Sequence, residues 1–158
     1  MRRSRLPERR LPTLLDTDAR RAIAARTQRL TAADGALWGT MDPPRMLAHL
    51  VDSFRMAYGE LPVTPKDMPL ARLAPVRWLI LRVLPMPRNA PTVREIVERP
   101  ARGLEEERVA FLALLERFPT HPFDTVPTAH PLFGPLSRDD WGTLAWKHID
   151  HHLRQFGV

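Results

Sequence analysis

The chain contains no cysteine. That excludes a disulfide framework, a thiolate metal site and a thiol nucleophile of its own, so any metal must be held by nitrogen and oxygen. It also suits a reducing cytoplasm, which is the expected location. Lysine is nearly absent: Lys66 and Lys147 are the two, and arginine carries the rest of the positive charge. No apolar run approaches the roughly 18 residues of a membrane span; the strongest, around Trp78-Leu79-Ile80-Leu81, is broken at Arg82. There is no glycine-rich phosphate loop, no internal repeat, no strand alternation and no paired carboxylate or Ser–His–Asp order.

What is present is a chain of 158 residues, enough for one domain with a substantial core. The formal charge is +6, yet the first ten residues, MRRSRLPERR, hold five arginines against Glu8. The high pI therefore belongs mainly to a basic arm, residues 1–10, expected to be disordered, while residues 11–158 form one nearly neutral domain. Nucleic-acid binding by such an arm competes with a solubilising role, and the solubilising role is the expectation. Arg2 and Arg3 are not followed by an apolar stretch of about 7–15 residues, so no export signal is expected.

The most informative stretch runs from His130 to Val158 and holds four of the six histidines. After a loop at His130-Pro131-Leu132-Phe133-Gly134, Ser137 and Asp140 read as a capping box, and Gly157 reads as the closing residue of a single long helix. Trp141, Ala145, Ile149, His152 and Phe156 recur at helical spacing. His148 and His152 are four apart, so their rings leave one face a turn apart and can reach a single ion. His151 is a rival partner for His148. At about 100° per residue, however, it falls toward solvent, whereas His152 lies in the apolar stripe and His148 at its edge. The alternative is two ordinary helical histidines.

Two segments carry a family resemblance. H-P-L-F-G-P-L-S-R-D-D-W with W-K-H-I-D-H-H-L-R-Q-F-G-V, and nearer the start W-G-T-M-D-P-P-R-M-L-A-H-L-V-D-S-F-R from Trp38 to Arg55, resemble the paired motifs of the DinB-like superfamily. Within it the chain is most similar to a small bacterial branch of unassigned function, and the likeness extends from about Ala22 to the end. The resemblance implies an all-α fold: a DinB-like four-helix bundle with a short extra helix and proline-rich loops. It also implies one divalent metal on three histidines, which correspond to His49, His148 and His152.

The remaining chain fits that architecture. A first helix is expected over about Asp16 to Leu30, with Ile23 and Leu30 inward. Asp42 caps a second, begun by Pro43 and lined by Leu47, Leu50, Val51, Phe54 and Tyr58. His49 sits beside that stripe, and periodicity alone does not make it a ligand; the placement suits a metal near the mouth of a bundle. Leu73 to Leu84 reads as a short buried helix or the lid of a pocket. Pro85 to Gly103 reads as an extended connection. Leu104 to Phe118 reads as a third main helix whose Glu105, Glu106 and Glu107 form a solvated start. Trp38 reads as a packing anchor. Asp52, Gln155 and the loop residue His130 are candidates to orient ligands or touch substrate, and Asp150 is weaker because it points elsewhere.

Three imidazoles suit zinc or nickel and leave a coordination position open. The expectation is a metal-dependent enzyme, either an S-transferase drawing on a low-molecular-weight thiol or a hydrolase. The alternative is a non-catalytic metal- or ligand-binding bundle. A small-molecule substrate is expected, membrane and nucleic acid are not, and a homodimer is the candidate assembly. The sequence singles out no catalytic residue.

Overall fold

The computed structural model describes residues 11–88, 90–126 and 128–158. The expected disordered arm, residues 1–10, lies outside the described residues. The described chain is mostly helical: α1 (Thr17–Arg29), α2 (Pro43–Ala57), α3 (Pro69–Arg72), α4 (Ala74–Arg82), α5 (Leu104–Arg117) and α6 (Arg138–Gln155). Single 3₁₀ turns occupy Arg94–Ile96 and Phe118–Thr120. A two-residue ribbon, β1 (Ala129–His130) and β2 (Gly134–Pro135), pairs antiparallel with His130 opposite Gly134. No described helix is long and apolar enough to cross a membrane.

The four long helices pack on one another. α2 lies against α5 and α6, and α1 lies against the same two. α2 begins where Asp42 accepts a hydrogen bond from the Arg45 N–H at 2.8 Å, with prolines in its first turn. Its expected stripe is buried, from Leu47 to Tyr58. So are Met46, Ala48 and His49, because the connection through Ile96 covers the side that periodicity leaves polar. His49 is only 5 % exposed, so its place beside the apolar stripe does not leave it at the surface.

α6 starts at Ser137, whose hydroxyl accepts from the Asp140 N–H at 3.1 Å. Only this half of the expected capping box forms. The Asp140 carboxylate turns away to Arg82 at 2.8 Å and ties α4 to α6. Nearby, Gly142 lets the N-terminal segment cross the helix closely: Leu14 donates to its carbonyl at 3.1 Å, and a Cβ there would collide with the Thr13 hydroxyl.

The segment expected as one short buried helix, Leu73 to Leu84, forms α4, and a further short helix, α3, precedes it outside that range. Burial is the wrong description for it. Leu81 is buried, but Trp78 is 60 % exposed and Leu70, Leu73, Val83 and Leu84 also face out. The apolar residues lie on both sides of a thin helix, one side meeting α6 and the other solvent, which matches the lid alternative. Lys147 of α6 holds the roof down by donating to the carbonyls of Ile80, Leu81 and Leu84 at 2.8, 3.2 and 2.6 Å. These carbonyls close α4, where no further helical N–H can reach them.

The glutamates at the start of α5 also need correcting. Glu105 and Glu106 are exposed as expected, but Glu107 is fully buried. It accepts from Arg99 at 2.7 and 3.0 Å and from Arg102 at 3.1 Å. Burial alone would push its carboxyl up; the guanidinium hydrogen bonds overcome this and hold it at about 2.

Candidate metal centre

α2 and α6 bring together the three predicted histidines. His148 Nε2 lies 2.9 Å from His49 Nε2 and 3.1 Å from His152 Nε2. The three donor atoms fall within 4.8 Å of one another. His151 stays out of the cluster, meeting Trp38 edge-on with ring centroids 5.4 Å apart.

The outer nitrogens set the protonation of two of these rings. His49 Nδ1–H donates to the Ile96 carbonyl at 3.0 Å, so its Nε2 carries a lone pair. His152 Nδ1–H donates to Gln155 Oε1 at 2.9 Å, with the same result. Gln155 is oriented in turn, because its amide donates to the Trp38 carbonyl at 2.6 Å. Two lone pairs thus aim at His148 Nε2, which has at most one hydrogen and can satisfy only one of them. A cation resolves the conflict. Zn–N bonds of 2.0–2.1 Å in tetrahedral geometry put nitrogens about 3.3 Å apart, close to the 2.9 and 3.1 Å that separate His148 from His49 and His152. The donor set therefore fits a divalent ion.

Electrostatics favours the neutral, ligating form of each ring. Burial lowers all three from the usual 6.5: His49 below it, His148 well below it, and His152 to about 3. For His148 and His152, repulsion from neighbouring imidazoles adds to burial.

Of the residues expected to orient the ligands, Gln155 does so. Asp52 does not: it is buried and bound to Arg99 at 2.8 Å and Arg55 at 3.3 Å, leaving the Ile96 carbonyl as the partner of His49. His130 is a turn residue whose Nδ1 accepts from the N–H groups of Leu132 and Phe133 at 3.2 and 3.4 Å. It nonetheless reaches the cavity wall, and burial pushes it down to about 4. Asp150 points away, as its helical angle predicts, to Arg26 at 2.7 Å. Trp38 is half-buried at the cavity instead of anchoring the core.

Sequence reasoning missed Ile96, Gly39 and Lys147. A carbonyl partner such as Ile96 leaves no side-chain signal. Gly39 carried one: it takes φ +75°, and a Cβ there would lie 2.9 Å from the Gln155 amide. Lys147, one of two lysines, directly precedes His148.

The histidines border a cavity of about 760 Å³ roofed by Ile80, Leu84 and Met86. Its wall is mostly apolar and contains no Asp or Glu among the described residues.

The family model described as "Protein of unknown function (DUF1569)" matches residues 10–157. No curated protein and no solved structure matches the chain. The match takes in both histidine-bearing helices and the roof of the cavity, and the chain belongs to this family of proteins of unknown function.

Proposed function

We propose that this chain is a metal-dependent enzyme built as a DinB-like four-helix bundle, which holds one divalent ion, zinc or nickel, on His49, His148 and His152 and transfers a low-molecular-weight thiol to a small electrophile. One observation carries the reading: three imidazole Nε2 atoms converge at an apolar cavity, two of them with lone pairs fixed inward. The bundle is formed by α1, α2, α5 and α6, with α3 and α4 as the roof.

When bound, a divalent ion with an open position supplies Lewis acidity and lowers the pKa of a coordinating thiol. The chain does the rest. Ile96 and Gln155 hold two rings in the ligating tautomer, and the roof excludes water from the reacting sulfur. The thiol comes from outside, because the chain has no cysteine. His151 lines the same wall and is neutral near pH 7, since burial lowers it; it is the imidazole free to take the thiol proton. Ester or amide hydrolysis would need a carboxylate base or an equivalent group to steer water. His151 is such a group, so hydrolysis stands as the second reading, and turnover with a thiol separates the two.

The test is turnover of a generic electrophile with a panel of bacterial thiols, using zinc- or nickel-loaded protein and the His148→Ala variant. Metal-dependent product formation with one thiol supports the reading. Rates equal to the variant for every thiol reject it, and generic esters run alongside address hydrolysis.

A further inference from the structure

The cavity is long as well as wide. Its wall follows α6 from Trp141 to Gln155, about 21 Å of helix at 1.5 Å per residue. It follows α2 from His49 toward Phe54 and Met56. The Phe54 end of α2 leads through Tyr58 and Phe123 to Trp141 by successive ring contacts of 5.9, 6.1 and 6.2 Å. The two helices thus run in opposite directions along the cavity. The histidine cluster lies toward the Gln155 end, and a mostly apolar stretch, interrupted by Ser53 and by His130 beside Trp141, leads away from it.

The walls differ along that length. Met41, Met56, Met68 and Met86 all face the cavity, unbranched side chains that adapt to a flexible apolar ligand. Polar groups gather near His152, namely Trp38, Thr40, His151 and Arg88. The guanidinium of Arg88 lies over the Trp38 ring, 4.6 Å from its centroid. Stacking fixes the plane of the guanidinium and leaves its N–H edge available. No carboxylate pairs with Arg88 among the described residues, and the sequence from Met68 to Arg94 contains no Asp or Glu. A positive charge is therefore held, unneutralised, beside the polar end of a long apolar cavity.

We propose that the cavity takes an elongated apolar molecule with a single anionic head, an acyl-chain carboxylate being the simplest case, and that Arg88 stacked on Trp38 recognises the head. This names a ligand class for the cavity described above, with the anionic head as an anchor and not as the reacting centre, and rests on that reading in treating the cavity as the binding site. Burial of each further methylene tightens binding by about threefold to fourfold. Loss of the charge-assisted contact to an exposed arginine weakens it by about tenfold.

The experiment is calorimetric titration of dodecanoate, octanoate and dodecanol into the full chain, once after chelator treatment and once after zinc loading. With metal removed, dodecanoate should bind far more tightly than octanoate and about tenfold more tightly than dodecanol. Arg88→Ala should erase the preference of carboxylate over alcohol and keep the preference for chain length. Equal binding of dodecanoate and dodecanol to the unaltered protein would overturn the proposal, as would equal binding of the two chain lengths or an unchanged preference in Arg88→Ala. The unaltered-protein comparison decides the matter even if the variant misfolds. The two readings fail separately: absence of zinc uptake rejects the metal site, while loss of head-group discrimination in the chelated protein rejects this ligand class.

Discussion

Arg99 grips Glu107 through both terminal nitrogens and reaches Asp52 through Nε at 2.8 Å, so one side chain joins α5, α2 and the turn that carries Ile96. Glu107→Ala would leave the guanidinium without its main partner and a void at a fully buried position. The variant should lose about 3 kcal/mol of stability in urea unfolding. Glu105→Ala and Glu106→Ala, at exposed positions, should each cost within about 0.5 kcal/mol. A loss shared equally among the three would show that Glu107 is no anchor.

The acid limb of the metal-free protein should have two parts. Buried His49 and half-buried His148 and His152 all titrate below 6.5 in the folded state, so below pH 6.5 the unfolded chain binds more protons and stability falls. The slope is at most about 1.4 kcal/mol per pH unit for each histidine. Glu107 shifts in the same direction for a different reason, its guanidinium partners outweighing burial: its folded value of about 2 lies below the usual 4.5. Its contribution is fully present above pH 4.5 and is lost as pH drops from there toward 2. Urea midpoints of chelated protein at pH 7, 6 and 5 should decline, and a flat series would contradict the burial of neutral imidazoles.

Metal content is the direct check on the histidines. Purified protein should take up one zinc or nickel per chain, and His49→Ala, His148→Ala or His152→Ala should abolish tight binding. His151→Ala should bind as the parent does, since His151 packs on Trp38 and stands outside the cluster. Elemental analysis before and after metal addition reads the result.

Gly39 acts on the site from outside it. A side chain there would press on the Gln155 amide, which fixes His152. Gly39→Ala also places a residue with Cβ at φ +75°. Both Gly39→Ala and Gln155→Ala should weaken zinc binding by about 10- to 100-fold while circular dichroism stays helical. Competition against a chromophoric chelator measures this, and unchanged affinity would remove Gln155 from the ligand-orienting role.

Much of this was legible in advance, and the exceptions share a cause. Helix starts at Asp42 and Ser137 follow from local chemistry and occur where expected. His148 and His152 were placed on one face by their spacing, whereas His49 was drawn in only by the family resemblance, since its burial comes from Ile96, 47 residues away. Glu107 looked like its two neighbours because the arginines that bury it arrive from the preceding connection. Asp140 lost its capping role to Arg82, 58 positions distant. The exposed side of α4 defeated a reading based on hydropathy, which registers how apolar a segment is and not how many sides of it are covered.

The histidine cluster joins positions 99 residues apart. In kinetic terms that makes it a late event. Single helices form within about a microsecond but persist only once packed, and closing so long a chain segment must precede any meeting of His49 with His148. Only the His148–His152 pair on α6 is local; the third histidine, His49, is in place only when α2 lies on α6. A bound ion would therefore slow unfolding more than it would speed folding.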